Sequence, residues 1–239
     1  MDDELFMPSA DELWPWSAAE FEDWDETERG EIPRMPQWDI EPWAFIDKES
    51  SWSFVPALEA LLSASGSNVP QGLGITVDET NGLVHIDERA NIEPGSHFIG
   101  PCYIAPGATI RHGAYVRENS WICWGALLGH SSEIKHSVLL PRAKAPHFNY
   151  VGDSIIGSDA NLGAGVKLSN LRNDGGEVIV RSGAHKRASR LRKFGALIGD
   201  GVQLGCNTVT NPGVILAKGC IAHPNSTVTG VHPEGTVLR

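Results

Sequence analysis

From Ile86 onward one apolar residue recurs at every sixth position: Ile86, Ile92, Phe98, Ile104, Ile110, Val116, Ile122, Leu128 and Ile134. Neither a 3.6-residue helix nor a two-residue strand alternation sends every sixth side chain alone into a core. A coil with three short flat faces does, with one bulky inward residue per face. Four positions after each of the first eight stand Ala90, Ser96, Cys102, Ala108, Ala114, Ser120, Ala126 and Ser132, all small, as a crowded site beside a corner requires. Pro94-Gly95 and Pro106-Gly107 fall between, where the chain must turn. A repeat of this kind takes precedence over local propensity in assigning architecture.

The spacing returns at Ile156, Leu162 and Leu168, at Ile198 and Leu204, and, one residue out of phase, at Val209, Ile215 and Ile221. Two interruptions separate these runs. One spans 140–151 and contains KAPHFNYV, residues 144–151; it is expected to lift off the coil as a loop. The other spans 170–196 and holds Arg172, Arg181, Lys186, Arg187, Arg190, Arg192 and Lys193. Loops on a rigid solenoid are where binding groups collect.

Before about residue 68 the pattern is absent, so the chain divides into an extension, 1–67, and a coil domain, 68–239. Short helices are predicted over Ser17 to Trp24 and Ser53 to Leu62. The extension carries six of the eight tryptophans: Trp14, Trp16, Trp24, Trp38, Trp43 and Trp52. An aromatic-rich segment of this kind fits a cap on the open end of the solenoid or a cover along its side, since an end coil exposes unpaired edge and apolar interior. A partner-docking arm is the alternative. Trp121 and Trp124 lie off the inward spacing and point outward, toward this segment or a neighbouring copy.

The net charge of −11 comes from one end: residues 1–50 hold sixteen acidic and three basic residues, the remainder fourteen and sixteen. This balance argues against a nucleic-acid partner, whose phosphates must be neutralised by Lys and Arg. No apolar run is long enough to span a bilayer, and the acidic start lacks the basic region of a signal peptide, so a cytoplasmic protein without a membrane partner is expected. Cys102, Cys123, Cys206 and Cys220 form no CxxC and read as packing residues. No histidine pair has the spacing of the zinc sites that some three-faced coils carry, so no metal is expected.

The run Glu133 to Gly165, EIKHSVLLPRAKAPHFNYVGDSIIGSDANLGAG, sets Lys135 first, then Lys144, Ala145, His147, Tyr150, Gly152 and Asp153, then Asn161, Gly163, Ala164 and Gly165. Arg117 precedes Lys135 by eighteen residues and Asn170 follows. This constellation resembles the acetyltransferase domain of the bifunctional bacterial and archaeal enzymes that make UDP-N-acetylglucosamine, within the hexapeptide-repeat acyltransferases. The later run RLRKFGALIGDGV is similar to the archaeal-type sugar-phosphate enzymes. Nothing resembles the glycine-rich nucleotide loop of their nucleotidyltransferase domain.

The resemblance implies an all-β, single-stranded left-handed parallel β-helix, here with a mostly irregular or short-helical N-terminal extension. It implies a homotrimer with active sites between subunits, and acetyl transfer from acetyl-CoA to the amine of glucosamine 1-phosphate. His147 would be the general base, since imidazole titrates near neutral pH; an acceptor for its other ring nitrogen would orient it. Asn161 would hold the reacting amine, and Arg117, Lys135, Tyr150 and Asn170 the acceptor. Backbone N–H groups around Gly163 to Gly165 would meet the oxyanion. The family lysine after Asn170 is absent, its place being Gly176, and Arg192 or Lys193 is the expected substitute. The family's basic tail is also missing, which leaves CoA to Ala164, Cys206, Ala222 and His223, with Lys218 nearby. Two other readings fit the same residues: an acyltransferase acting on another amino-sugar phosphate or nucleotide amino-sugar, and a non-catalytic trimeric scaffold or regulatory protein.

Overall fold

The computed structural model describes residues 6–15, 30–37 and 39–239. The chain is a left-handed parallel β-solenoid of three eight-stranded sheets, each strand pairing with its counterpart one coil away. Face 1 starts at Val84–Ile86, face 2 at Asn91–Ile92 and face 3 at Thr76–Asp78. Strands of two to four residues suffice because all but the end strands of each sheet are paired on both sides and each needs only one inward side chain to be anchored. Ile86, Phe98, Ile104, Ile110, Val116, Ile122, Leu128 and Ile134 are fully buried in a single interior stack. Each contributes roughly 1.5–3 kcal/mol by leaving water.

The first predicted interruption is not a loop. Residues 144–147 form a face 2 strand in register with Leu127, Leu128 and His130, and Tyr150–Gly152 a face 3 strand in register with Glu133–Lys135. What changes is coil length. Val116 and Ile134 are partners eighteen residues apart, whereas Ile134 with Val151, and Val151 with Leu168, are partners seventeen apart. The inward sequence therefore runs Ile134, Leu139, Ala145, Val151, Ile156 and Leu162, with two steps of five. The tightened corners place His136 and Asp153 in the left-handed region, at φ 45° and 49°.

The C-terminal phase shift is likewise corrected. Leu204 pairs with Ala222, and Leu168 with Thr210, so the inward residues are Leu204, Thr210, Leu216, Ala222 and Val228, all in phase with Ile198. Val209, Ile215 and Ile221 point outward. Ile215 is buried nonetheless, under a second layer, and Ile221 is exposed.

That second layer is the N-terminal segment. Face 1 is apolar on both sides: its outward residues Tyr103, Trp121, Val138, Ile155, Leu197, Ile215 and Val231 form a second cluster with Leu13, Trp14, Trp43, Phe45, Phe54 and Leu58. Polar contacts fix its position. The Trp14 indole N–H donates to the Ile198 carbonyl (2.9 Å), Trp121 Nε1 to the Glu31 carbonyl (3.2 Å) and His136 Nε2 to the Ile46 carbonyl (2.8 Å). The described parts of the segment thus lie along the side of the coil. A helix spans Phe54–Ser65, capped by the Ser53 hydroxyl, as predicted; the helix predicted over Ser17 to Trp24 lies outside the described residues. Among the described residues no helix is long and apolar enough to cross a membrane.

The second interruption leaves the coil. Its strands Ile179–Ser182 and His185–Ala188 form an antiparallel hairpin, held to the N-terminal segment by Arg187 Nε and Glu41 (2.9 Å).

Candidate active site

The corner between faces 3 and 1 stacks equivalent positions from successive coils. Arg117, Lys135 and Gly152 follow the inward residues Val116, Ile134 and Val151. The missing side chain at Gly152 makes room. A Cβ there would stand 2.6 Å from Tyr150 Oη and 2.8 Å from Asn170 Nδ2, so only glycine lets the phenol and the amide fold across the corner.

Beneath them sits Asp153, almost fully buried at its five-residue corner. Its carboxylate takes a hydrogen bond from Asn170 Nδ2 and faces Lys135 Nζ at 3.5 Å. Asn170 Nδ2 also donates to Tyr150 Oη (3.1 Å). Burial pushes the Tyr150 phenol above its ordinary pKa, with the carboxylates of Glu133 and Asp153 adding to the rise against the Asn170 hydrogen bond and Arg117. Lys135, Tyr150 and Asn170 are thus brought together around one carboxylate.

Arg117 stands one coil earlier and is engaged by acids. Its Nη1 donates to Glu133 Oε1 (2.8 Å), its Nη2 lies 3.4 Å from Glu118 Oε1, and its guanidinium sits 5.7 Å from the centre of the Tyr115 ring. Its buried Nε has no hydrogen-bond partner among the described residues.

His147 lies at the other corner of face 3, next to face 2, and is exposed. Its backbone is fixed on both sides: the N–H donates to Asn149 Oδ1 (2.9 Å) and the carbonyl accepts from Gly165 N (2.9 Å). Asn149 is buried and holds this corner across three coils, accepting from its own coil, receiving the Ser132 hydroxyl and donating to the Gly163 carbonyl (2.8 Å). The His147 ring has no hydrogen-bond partner among the described residues, so the expected orienting acceptor is not supplied there. The neighbouring Phe148 is 57% exposed at φ 53°, its ring edge-on to His130 at 5.3 Å.

Asn161 lies on face 2 between Lys144 and Gln203. Ala164 and the exposed Cys206 share the His147 corner one and two coils on. Within the glycine-rich turn the Gly163 and Gly165 N–H groups are already donated, to Leu204 and His147 carbonyls; the Ala164 N–H makes no hydrogen bond among the described residues. His223 is exposed, but Ala222 faces the coil interior at 2% exposure, so its side chain cannot line a cofactor groove. Lys193 is exposed and pairs through its backbone with Leu171. The cavity beside Asn170 is lined by Arg172 and Arg181, not by Arg192 or Lys193. Two groups therefore exist within one chain: Lys135, Tyr150, Asn170 and Asp153 at one corner, His147, Ala164 and Cys206 at the other. Among the described residues no group of three or more His, Cys, Asp or Glu side chains could hold a metal ion.

Residues 98–191 match the family described as the GMPPB C-terminal domain. The chain is 36% identical over 189 residues to the bifunctional sugar-1-phosphate nucleotidylyltransferase/acetyltransferase of Sulfurisphaera tokodaii, covering 78% of this chain and 44% of that protein. It is 43% identical over 115 residues to the bifunctional protein GlmU of Methanococcus vannielii, covering 48% and 28%. Over the matched residues the chain is related in sequence to the GlmU-type bifunctional proteins. It spans less than half the length of these curated relatives. Among solved structures, the polySia-specific acetyltransferase NeuO is 15% identical with a TM-score of 0.39, covering 68% of this chain and 76% of that one. Perosamine N-acetyltransferase from Caulobacter crescentus, as a mutant with CoA and GDP-perosamine, is 15% identical with a TM-score of 0.29, covering 64% and 51%.

For a hexapeptide-repeat protein the informative residues that sequence reasoning passed over are Asp153 and Asn149. Asp153 was visible within the GD pair of the shared run, but its role depends on burial between Lys135 and Asn170. Asn149 carried no signal beyond its type, since a corner asparagine is ordinary in such coils.

Proposed function

We propose that this protein transfers an acetyl group from acetyl-CoA to the amine of an amino-sugar phosphate, with glucosamine 1-phosphate as the acceptor its residues support best. The observation that carries the reading is the cluster of Lys135, Tyr150 and Asn170 around Asp153, one face-width from an exposed histidine with a fixed backbone.

In this reading the acceptor ammonium first gives one proton to solvent, and His147 takes a second from the nitrogen as its lone pair attacks the thioester carbonyl. The carbonyl oxygen gains the negative charge of the tetrahedral intermediate and meets the Ala164 N–H, the one amide of its turn left available. Collapse re-forms the carbonyl, breaks the C–S bond and returns the proton from the imidazolium to the departing thiolate. Asn161 steadies the amine. Lys135 and Tyr150 receive the phosphate, and Arg117 joins them by exchanging Glu133 for a phosphate oxygen. Ala164, Cys206 and His223 border the CoA groove.

The reading calls for a homotrimer, which would let the His147 corner of one subunit face the Lys135 corner of the next. Face 1 is covered by the chain's own N-terminal segment, leaving faces 2 and 3, with Tyr115, Phe148 and Ile221 exposed, for self-association. The cavity that continues beyond Asn170 favours a second reading, a longer acceptor such as a nucleotide amino-sugar. Thiol release from acetyl-CoA, measured with glucosamine 1-phosphate, glucosamine 6-phosphate and UDP-glucosamine side by side, tests both. The highest kcat/KM on the 1-phosphate supports the first reading, preference for UDP-glucosamine the second, and no release with any acceptor refutes the activity.

A further inference from the structure

The hairpin over residues 179–188 lies against the coil and, through Ile179 and Arg181, borders an open cavity of about 430 Å³. Two glycines make this contact possible. A Cβ on Gly213 would meet Val178 Cγ1 at 2.7 Å, and one on Gly230 would meet the Arg181 carbonyl oxygen at 2.7 Å, so on two successive coils a side chain at the corner would push the hairpin away. Gly213 N also donates to the Gly195 carbonyl (2.9 Å). The contact is therefore built into the fold, with Val178 and Val180 buried in the apolar cluster over face 1.

The charge of the cavity is not balanced among the described residues. Arg172 is tied off by Asp174 (Nε to Oδ1, 2.9 Å) and by the Glu177 carbonyl (3.1 Å), so that pair adds no net charge. Arg181 also lines the cavity, and its guanidinium has no ion pair or hydrogen bond among the described residues. Directly opposite it across the hairpin stands Lys186, equally without a partner there. Like charges facing each other on paired strands are destabilising, so the hairpin holds an uncompensated cationic pair. Asn173, Asn211, Ser169 and Thr229 add amide and hydroxyl donors to the walls. The volume lies in the range of small-molecule sites, larger than a single phosphate requires.

We propose that this cavity binds a phosphate-bearing anion, a diphosphate or a phosphate ester, with Arg181 as its anchoring cation. Ser169 and Leu171 flank Asn170, so the anion would sit next to the Tyr150 cluster. Two sources share this chemistry: the distal phosphate of an elongated acceptor, and the phosphates of CoA. Binding itself does not depend on the acetyl-transfer reading; only the assignment of the source does.

Isothermal titration of the full chain with inorganic pyrophosphate tests it, at low and at physiological salt, for the wild type and for Arg181→Gln, Arg181→Lys and Lys186→Gln. Arg181 and Lys186 are exposed, so these changes leave the fold intact, as circular dichroism will verify. The expected result is binding that weakens with salt, falls at least about tenfold in Arg181→Gln and recovers in part in Arg181→Lys. No heat at millimolar pyrophosphate, or equal affinity in Arg181→Gln, overturns the proposal. Titrations with UDP-glucosamine and with CoA then identify the source: the ligand whose affinity Arg181→Gln lowers is the one whose phosphate the cavity holds.

Discussion

The Asp153 carboxylate faces the Lys135 ammonium at 3.5 Å, with side-chain exposures of only 7% and 13%. Asp153 reaches this position because the coil corner is one residue short and its backbone turns left-handed, which carries the carboxylate inward. Removing one member of such a pair leaves the other charge uncompensated in a dry site. Asp153→Ala is predicted to cost about 3–5 kcal/mol in urea unfolding, whereas Glu88→Ala, at an exposed corner, should cost under about 1 kcal/mol. A loss below about 1 kcal/mol for Asp153→Ala would mean the pair does not hold the corner.

Gly152→Ala separates stability from binding. The added methyl collides with Tyr150 Oη and Asn170 Nδ2, the ends of two side chains, and not with backbone. The fold should survive while the phenol shifts, and kcat/KM for the acceptor should drop about 100-fold, as a misplacement near 1 Å commonly produces. An unchanged kcat/KM would remove Tyr150 from the acceptor site.

Trp14 joins the N-terminal segment to face 1 through a fully buried ring and the hydrogen bond to Ile198. Trp14→Ala should destabilise by about 3–5 kcal/mol, read as a lower urea midpoint. A two-step transition, with the segment released first, would show that it is a separately unfolding layer.

His136 predicts a pH dependence of stability. Burial holds its pKa below the ordinary 6.5, against the raising effects of the Ile46 hydrogen bond and the Asp153 charge, while Lys48 and Lys135 push the same way as burial. The unfolded chain therefore binds this proton more readily than the folded one. The contribution is fully present above about pH 6.5 and is lost as pH falls through the depressed folded value. Wild type should lose stability relative to His136→Gln as pH falls from 7 to 5, in parallel urea titrations. Identical pH profiles would contradict the burial argument.

Much of the fold was legible because one bulky residue per six is a pattern no helix or ordinary strand makes. The misses share one cause. Where a coil loses a residue, the apolar spacing slips, and the small inward Ala145 gives no peak to reveal the new phase, so a regular strand reads as a loop. Later, Ile215 and Leu216 are both buried, one under the N-terminal layer and one in the coil, and apolarity alone cannot say which faces inward. Ala222, offered for the CoA groove alongside the family resemblance, is the inward partner of Leu204. At the candidate site, Lys135, Tyr150 and Asn170 came from the resemblance to a family motif, and the fold sets them near one another. Asp153 between them, and the pairing of Arg117 with Glu133, depend on distances that only the folded corner defines.

The central claim is that His147 serves as the base of an acetyl transfer. It is tested most directly by single-condition thiol-release kinetics with acetyl-CoA and glucosamine 1-phosphate on the wild type and His147→Ala, with CoA affinity measured on both proteins. The account predicts turnover by the wild type, a fall in kcat of at least about 100-fold in the variant and an unchanged CoA affinity. Equal kcat in the two proteins, or a wild type that binds CoA yet releases no thiol, would contradict it.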